Sequence, residues 1–248
     1  MIKFRRFLKR LSSLILALLL ILVIVFFSIQ KKSKDLIPNR IALIDKVGNN
    51  YIFRGNNPFI TKNNKKNFTE EELTSRFNDI LRKQNYSELK DYDLIDFSLL
   101  DLDEYFILKK EEHFFERKLN NDSMLINIST LSPTLLFKRS EDSNALVKYI
   151  ANKYSSKITD IINEIHNQAA QQKQKPIVIY IHCNGGRDRT GLIAASYRMQ
   201  FQNMNLSQAI SKNIEEVGRN SEDLYKNAIY SYCLHIKETQ HKNTDFCD

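Results

Sequence analysis

The sequence contains too few cysteines for a disulfide scaffold. Its 248 residues include three cysteines, Cys183, Cys233 and Cys247, and small disulfide-stabilised domains need a denser pattern. His182 and Cys183 are the only adjacent pair able to bind a metal, and the other two cysteines lie far away without ligand spacing. We therefore expect no metal or other cofactor. Two alternatives stay open for Cys233 and Cys247, which either pair with each other or remain free.

Glycine is also scarce, and its distribution is uneven. Three of the six glycines, Gly185, Gly186 and Gly191, fall within seven positions. The apolar, β-branched residues 177–181 before them predict a buried strand, and residues 192–197 after them suit a helix. A strand, a glycine-rich turn and a helix in this order aim backbone N–H groups and a positive helix end at an anion. The closing glycine is followed by leucine rather than lysine, which excludes a nucleoside-triphosphate P-loop.

The turn contains a thiol and a guanidinium. Five residues separate Cys183 from Arg189, and Thr190 follows directly. A helix N-terminus and a neighbouring cation can lower a cysteine pKa from about 8.5 into the range of roughly 3.5 to 7.5. Arginine offers a planar fork for two phosphate oxygens and keeps its charge. The spacing therefore predicts a thiolate nucleophile beneath a bound phosphoryl group.

This turn resembles the Cys-x5-Arg signature loop of the protein-tyrosine-phosphatase superfamily, in the form shared by its dual-specificity and lipid-phosphatase branches. The resemblance implies that Cys183 attacks phosphorus to form a cysteinyl-phosphate, that Arg189 and the loop amides bind the phosphoryl oxygens, and that Thr190 hydrogen-bonds the departing sulfur. The matching residues are His182, Cys183, Gly186, Arg189, Thr190 and Gly191. We expect His182 to support the loop, and the predicted substrate-binding residues are Asn184, Gly185, Gly186, Arg187 and Gly191.

Two aspartates are candidates for the general acid, a role worth about 10² to 10⁴ in rate. The Arg187-Asp188 pair resembles loops of bacterial tyrosine and phosphoinositide phosphatases, in which the loop aspartate is such a candidate, and Asp188 is the first choice. Alternatively, Asp188 pairs with Arg187 or Arg189 and only fixes the loop. The chain has no tryptophan, so the Trp-Pro-Asp acid loop of the superfamily is absent. Asp142 is the alternative acid, or it caps the following helix.

Acidic residues are missing from the first 34 positions. This segment has eight basic residues, which equals the formal net charge of +8 for the whole chain. The remaining residues balance, with 29 basic and 29 acidic side chains. Because binding to a nucleic-acid backbone needs a concentrated basic face, no nucleic-acid partner is expected.

The basic N-terminus surrounds a long uncharged run. Residues 11–29 contain no charged side chain, and as a helix they would extend about 28 Å, close to the roughly 30 Å of a bilayer core. We predict a basic flank over residues 1–10 and a single-pass signal anchor over residues 11–30, with a cleaved signal peptide as the alternative. The excess of basic residues before the run favours a cytoplasmic N-terminus and an extracytoplasmic domain. A catalytic thiol, which must stay reduced, favours the opposite orientation.

The rest of the chain is predicted as one domain without internal repeats. A linker over residues 31–40 leads into a phosphatase domain over residues 41–240 and a polar tail over residues 241–248. The superfamily resemblance implies an α/β fold with a central, mostly parallel sheet flanked by helices. Residues 51–58 also resemble the entry segment of dual-specificity domains, in which Arg54 is either a buried structural arginine or a ligand.

Local patterns predict individual elements of this domain. Two short strands should flank the Gly48-Asn49 turn, and Thr69 should cap a helix. Residues 61–67 read as an exposed loop, and residues 103–118 as a helix with solvated carboxylates.

Together these features predict a membrane-anchored phosphomonoester phosphatase of the protein-tyrosine or dual-specificity type. Its substrates would be phosphoproteins, on tyrosine or serine/threonine, or phosphoinositides, so that the partners are a phosphorylated protein or a membrane lipid. Arg187 either binds a second phosphate of such a substrate or is a solvated surface residue. The alternative function is a catalytically silent phosphate-binding module tethered to a membrane.

Overall fold

The computed structural model describes residues 2–118, 122–128 and 145–247. Asp142, the alternative general acid, lies outside these residues. The helices are α1 (Ile2–Ile29), α2 (Glu70–Lys83), α3 (Tyr105–Glu116), α4 (Ala145–Ala169), α5 (Asp188–Phe201), α6 (Leu206–Val217) and α7 (Asp223–Thr239). The strands are β1 (Ala42–Val47), β2 (Asn50–Asn56), β3 (Phe59–Lys62), β4 (Lys65–Phe68), β5 (Asp93–Ser98), β6 (Met124–Asn127) and β7 (Ile177–Cys183).

A five-stranded sheet forms the centre of the fold, in the order β1-β2-β7-β5-β6. Strands β2, β7, β5 and β6 run parallel to one another, and β1 pairs antiparallel with β2 across the predicted Gly48-Asn49 turn. This arrangement confirms the predicted α/β fold with a mostly parallel sheet.

Strand β7 lies in the middle of the sheet and is buried along its whole length. Its alternate side chains enter two different hydrophobic clusters, because successive residues of a strand point to opposite faces. Ile177, Ile179 and Ile181 pack with residues of α4, α5 and α7. Val178 and Tyr180 pack with α2 through Leu73, Phe77 and Leu81. Helices therefore cover both faces of the sheet, as its continuous apolar strand requires.

The carboxyl ends of the parallel strands meet at one edge of the sheet. Asn56 at the end of β2 pairs with Cys183, and Ser98 at the end of β5 pairs with His182. The turn from β7 into α5 therefore lies between the segments that follow β2 and β5, where open α/β sheets place their ligands.

The exposed loop predicted over residues 61–67 is wrong, because β3 and β4 form an antiparallel hairpin there. Asn63 and Asn64 at its tip have φ values of 52° and 60°. A tight hairpin turn needs positive φ at both central residues, and asparagine tolerates it better than most residues.

The predicted helix over residues 103–118 is present as α3, preceded by a short 3-10 helix, Leu102–Glu104. The expectation that its carboxylates are solvated is wrong for two of them. Glu104 and Glu111 are 1% and 0% exposed, because they face basic partners from distant parts of the chain.

Helix α1 meets the domain at its C-terminal end. Phe27 stacks on Phe106 with ring centroids 5.6 Å apart, and the N–H of Lys31 donates to the carbonyl of Asp103 (2.6 Å). Within the described residues, no helix is both long and apolar enough to cross a membrane. The span predicted over residues 11–30 therefore finds no support in this part of the chain.

The C-terminal segment packs onto α7. Cys233 and Cys247 form a disulfide, which decides between the two alternatives that the sequence left open. Residues Thr244–Cys247 form a short 3-10 helix that brings Phe246 and Cys247 into the main core. Cys183 is the remaining free thiol.

Candidate active site

A cavity of ≈ 350 Å³ opens at the carboxyl edge of the sheet, beside the turn from β7 to α5. A larger cavity of ≈ 620 Å³ lies between α3 and the β3–β4 hairpin, but its aromatic, basic and amide lining includes neither a thiol nor a carboxylate. The smaller cavity is therefore the candidate active site. Its lining residues are Lys31, Lys32, Lys34, Glu104, Cys183, Asn184, Gly185, Asp188, Arg189, Glu222 and Tyr225.

Cys183 is the last residue of β7 and is 3% exposed. The backbone N–H of Gly186 donates to its sulfur (3.2 Å). Burial alone would raise the pKa of Cys183, but the charge of Arg189 and hydrogen bonding from Thr190 and Gly186 bring it below its ordinary value. The surroundings of Cys183 therefore make its thiolate easier to form than that of an ordinary cysteine.

Arg189 lies in the first turn of α5, and Glu104 fixes its guanidinium. Nη1 donates to Oε2 of Glu104 (2.6 Å) and Nη2 donates to Oε1 (2.7 Å). Nη1 also donates to the carbonyl of Leu99 (2.7 Å). Burial would lower the pKa of Arg189, but Glu104 and Cys183 raise it above its ordinary value.

This fork does not use up the guanidinium. Arginine has five N–H donors. The bonds to Glu104 and Leu99, together with a longer one from Nη1 to Oδ2 of Asp101 (3.4 Å), involve both Nη1 hydrogens and one Nη2 hydrogen. The Nε–H and the second Nη2 hydrogen of Arg189 have no partner among the described residues. They remain available for two oxygens of an anion in the cavity.

Arg54 stabilises the turn by binding its backbone. It is completely buried, and its Nη2 donates to the carbonyl of Gly186 (3.0 Å) while its Nη1 pairs with Glu216 (3.0 Å). Asn213 donates to the carbonyl of Gly191 (2.8 Å). Of the two roles open for Arg54, the structure shows the structural one.

His182 lies below the turn in a buried group of ionisable side chains. Its Nε2 is 3.0 Å from Oδ1 of Asp96 and 3.6 Å from Oε1 of Glu111. Burial would lower the pKa of His182, but the two carboxylates raise it to about 9. Burial raises the pKa of Glu111 to about 8.

The same three side chains are the group that could hold a metal ion in the described part of the chain, since their ligand atoms lie within 4.8 Å of one another. All three side chains are buried, and His182 directly precedes Cys183 in the chain.

Asp188 is the first residue of α5 and lines the cavity. Its Oδ2 accepts from Nη2 of Arg219 (3.1 Å), and its Oδ1 accepts from the N–H of Glu222 (3.1 Å). Its arginine partner is thus Arg219 and not Arg187 or Arg189, the two that the sequence suggested.

The other predicted residues occupy different positions around the turn. Thr190 is fully buried next to the sulfur, and Asn184 and Gly185 line the cavity. Arg187 lies outside the lining, and its Nε is buried without a hydrogen-bond partner in the described residues. Burial lowers the pKa of Arg40, as do the charges of Arg187 and Arg219, so these three guanidinium groups lie near one another.

Sequence reasoning missed three groups of residues at this site. They are the lysines of the predicted linker, the acids that lie near Arg189 and His182, and the two lining residues at the start of α7. Only Glu104 has a local signal, because Asp101 and Glu104 have the spacing of a capping box. The missed residues are Lys31, Lys32, Lys34, Asp96, Asp101, Glu104, Glu111, Glu222 and Tyr225.

Comparison with known proteins gives one family match. The family model described as "Dual specificity phosphatase, catalytic domain" matches residues 107–230, which is half of the chain. A search of curated proteins finds no significant match.

Several solved structures are similar to this chain. The structure of Tk-PTP in the active form has a TM-score of 0.41 and 15% sequence identity, covering 82% of this chain and 98% of that one. The core catalytic domain of the PP-IP phosphatase SIW14 from S. cerevisiae, in complex with citrate, has a TM-score of 0.39 and 19% identity, covering 82% and 93%. A second structure of the Siw14 catalytic core has a TM-score of 0.38 and 18% identity, covering 86% and 96%.

Proposed function

Because the chain belongs to the dual specificity phosphatase catalytic-domain family, we propose that it hydrolyses phosphomonoesters of phosphoproteins or phosphoinositides at Cys183. Membership makes it a cysteine-dependent, metal-independent phosphatase. One observation carries the assignment of the nucleophile: Cys183 lines the cavity beside Arg189, and its pKa is lowered there. Arg189 has two N–H groups available to bind a phosphoryl group.

The proposed reaction has two steps. The Cys183 thiolate attacks phosphorus, a P–S bond forms, and the P–O bond to the leaving group breaks. Arg189 and the amides of the turn bind the phosphoryl oxygens, whose charge spreads in the transition state. Water then attacks phosphorus, the P–S bond breaks, and Thr190 donates to the departing sulfur.

We propose Asp188 as the acid that protonates the leaving oxygen. Its support is position, since it lines the cavity together with Cys183. To act as an acid it must carry a proton on an oxygen that now accepts from Arg219 or Glu222. Asp188→Asn should therefore slow hydrolysis of a poor leaving group, such as an alkyl phosphate, far more than that of an activated aryl phosphate. An equal effect on both would point to Asp142 or another acid.

We also propose that helix α1 anchors the chain in a membrane, with the domain outside the cytoplasm. In helix α1 Leu14 and Leu16 are 68% and 69% exposed, and a continuous apolar surface of this kind marks an interaction site. The Cys233–Cys247 disulfide supports a domain outside the cytoplasm, since disulfides persist in oxidising compartments. In sealed right-side-out membrane vesicles, added protease should digest the domain. Protection of the domain would contradict this orientation.

Cys183→Ser tests the enzyme assignment directly. The wild type should turn over a small aryl phosphate without added metal, and the variant should lose turnover while still binding phosphate, because Arg189 and the turn remain. Thermal unfolding of both proteins controls for folding. Equal turnover would refute the nucleophile, whereas phosphate binding without turnover by the wild type would assign a silent phosphate-binding module.

A further inference from the structure

We propose that Lys32 and Lys34, in the segment after α1, form a second anion subsite in the active-site cavity. This subsite would select substrates with a further phosphate close to the one being hydrolysed. The inference rests on the proposed phosphatase function and adds to it the recognition of a compact polyol carrying neighbouring phosphates, either free or as a lipid headgroup.

The first argument is that the linker backbone is fixed against the signature turn. Asn184 lies directly after the nucleophile, and its Oδ1 accepts from the N–H of Lys34 (2.9 Å). Its Nδ2 donates to the carbonyl of Lys32 (2.9 Å). One side chain of the turn thus binds the linker on both sides of Ser33, and Asn57 donates to Oγ of Ser33 (2.6 Å). The two lysines therefore have a defined place beside Cys183.

The second argument concerns distance. Lys32, Lys34, Cys183 and Arg189 all line one cavity of ≈ 350 Å³. The Nζ of Lys34 is 3.7 Å from the position that a Cβ on Gly185 would occupy. Since Gly185 belongs to the turn that would bind the reacting phosphate, an anion held by Lys34 must be close to that phosphate. Vicinal phosphates on a small ring meet this condition.

The third argument is charge. The ammonium group of Lys31 pairs with Asp103 (2.7 Å), but those of Lys32 and Lys34 have no acidic partner within the described ranges. Two of the three carboxylates that line the cavity are occupied, because Glu104 binds Arg189 and Asp188 binds Arg219. Glu222 is the one remaining carboxylate among the described lining residues. Lysine is a point-charge donor that suits phosphate oxygens without demanding a bidentate geometry.

The experiment compares the full-length wild type with the double variant Lys32→Gln/Lys34→Gln. Lys90→Gln is the matched control, because Lys90 is exposed and precedes β5 at the opposite edge of the sheet. The substrates are an aryl phosphate with one phosphate, a free inositol phosphate with two vicinal phosphates, and the same headgroup as a phosphatidylinositol in neutral vesicles. The measured quantity is kcat/KM at two salt concentrations.

We expect the double variant to lose roughly three- to tenfold in kcat/KM on the vicinal bisphosphate, the range expected for two partly exposed charges. It should lose clearly less on the aryl phosphate, which has no second phosphate for the subsite, and high salt should narrow the difference in kcat/KM between wild type and variant. Equal losses on the free and lipid substrates would support recognition of the headgroup itself. Equal kcat/KM of wild type and variant on the bisphosphate would overturn the subsite.

A loss confined to the vesicle substrate would also overturn it, because the lysines would then contact the membrane surface. Binding of the free bisphosphate to Cys183→Ser, with and without the lysine substitutions, separates this inference from the enzyme assignment. If no substrate is turned over, weaker binding by the lysine variant still supports the subsite, and unchanged binding refutes it.

Discussion

At the scale of the residue, Glu104 determines the orientation of Arg189. The two carboxylate oxygens bind different terminal nitrogens of the guanidinium, at 2.6 and 2.7 Å. Glutamine can accept only one of these bonds, so Glu104→Gln should lower kcat/KM for an aryl phosphate roughly 10- to 100-fold, as expected for one broken buried charge pair. Glu116→Gln, at the exposed last residue of α3, should leave the rate unchanged. A wild-type rate in Glu104→Gln would show that Leu99 and the helix suffice to hold Arg189.

Glu111 gives the protein a pH-dependent stability. Burial raises its pKa from 4.5 to about 8, so the folded state keeps a proton that the unfolded state loses above pH 4.5. The free energy of unfolding should therefore fall with rising pH between about 4.5 and 8, by roughly 1 kcal/mol per pH unit. His182, whose pKa is raised to about 9, adds a similar fall between about 6.5 and 9.

The variant Glu111→Gln isolates the first of these contributions. Denaturant unfolding at pH 5, 6, 7 and 8 should give a flatter curve for the variant, most clearly below pH 6.5 where His182 does not contribute. Parallel curves for the two proteins would show that Glu111 is ionised in the folded state.

The sequence pointed to the residues around the turn, which are contiguous, and missed the residues that reach the same cavity from elsewhere in the chain. The spacing of the residues from His182 to Gly191 is itself enough to indicate an anion-binding turn. The structure brings Cys183, Arg189 and Thr190 of this stretch together. Glu104 and Glu111 looked like solvated acids, because their partners Arg189 and His182 lie far along the chain. Their burial follows only from the packing of α3 against the end of the sheet.

At the scale of the element, the turn between β7 and α5 depends on one backbone conformation. Gly186 has φ of +66°, and a Cβ there would lie 2.5 Å from the carbonyl oxygen of Gly55. Gly186→Ala should therefore displace the turn from β2 and abolish most of the phosphatase activity. Gly218, with φ of +73° and no atom within 4 Å of such a Cβ, is the control for the φ strain alone.

Gly218→Ala should cost about 1 kcal/mol in the free energy of unfolding and keep its kcat/KM. If both alanine variants retain activity, close contact with β2 does not shape the turn.

The elements themselves were predictable to different degrees. The apolar run at 177–181 located β7, which continues two residues further, to Cys183. The hairpin of β3 and β4 was missed because its strands contain lysines and asparagines at positions that face solvent. There the pairing is set by the turn at Asn63 and Asn64 and by Phe59 opposite Phe68. The two strands have no alternating apolar pattern from which they could be predicted.

At the scale of the whole molecule, the disulfide ties the last residues to α7. Cys233 and Cys247 are 14 positions apart, and closing a loop of this size stabilises a protein by about 3 kcal/mol. Reductant should lower the free energy of unfolding of the wild type by this amount and leave Cys233→Ala/Cys247→Ala unaffected, with activity retained in both. The measurement is urea unfolding with and without reductant. An unchanged wild type would mean that the bond does not contribute to stability.

The hydrogen bonds between Asn184 and the backbone of Lys32 and Lys34 make the linker a wall of the active-site cavity. A shortened protein that starts at residue 41, where the sequence places the beginning of the domain, would be built without one wall of its own active site. A tag or fusion partner joined there would take the place of that wall. Kinetic constants from such a fragment would describe a different enzyme from the one that the intact chain forms.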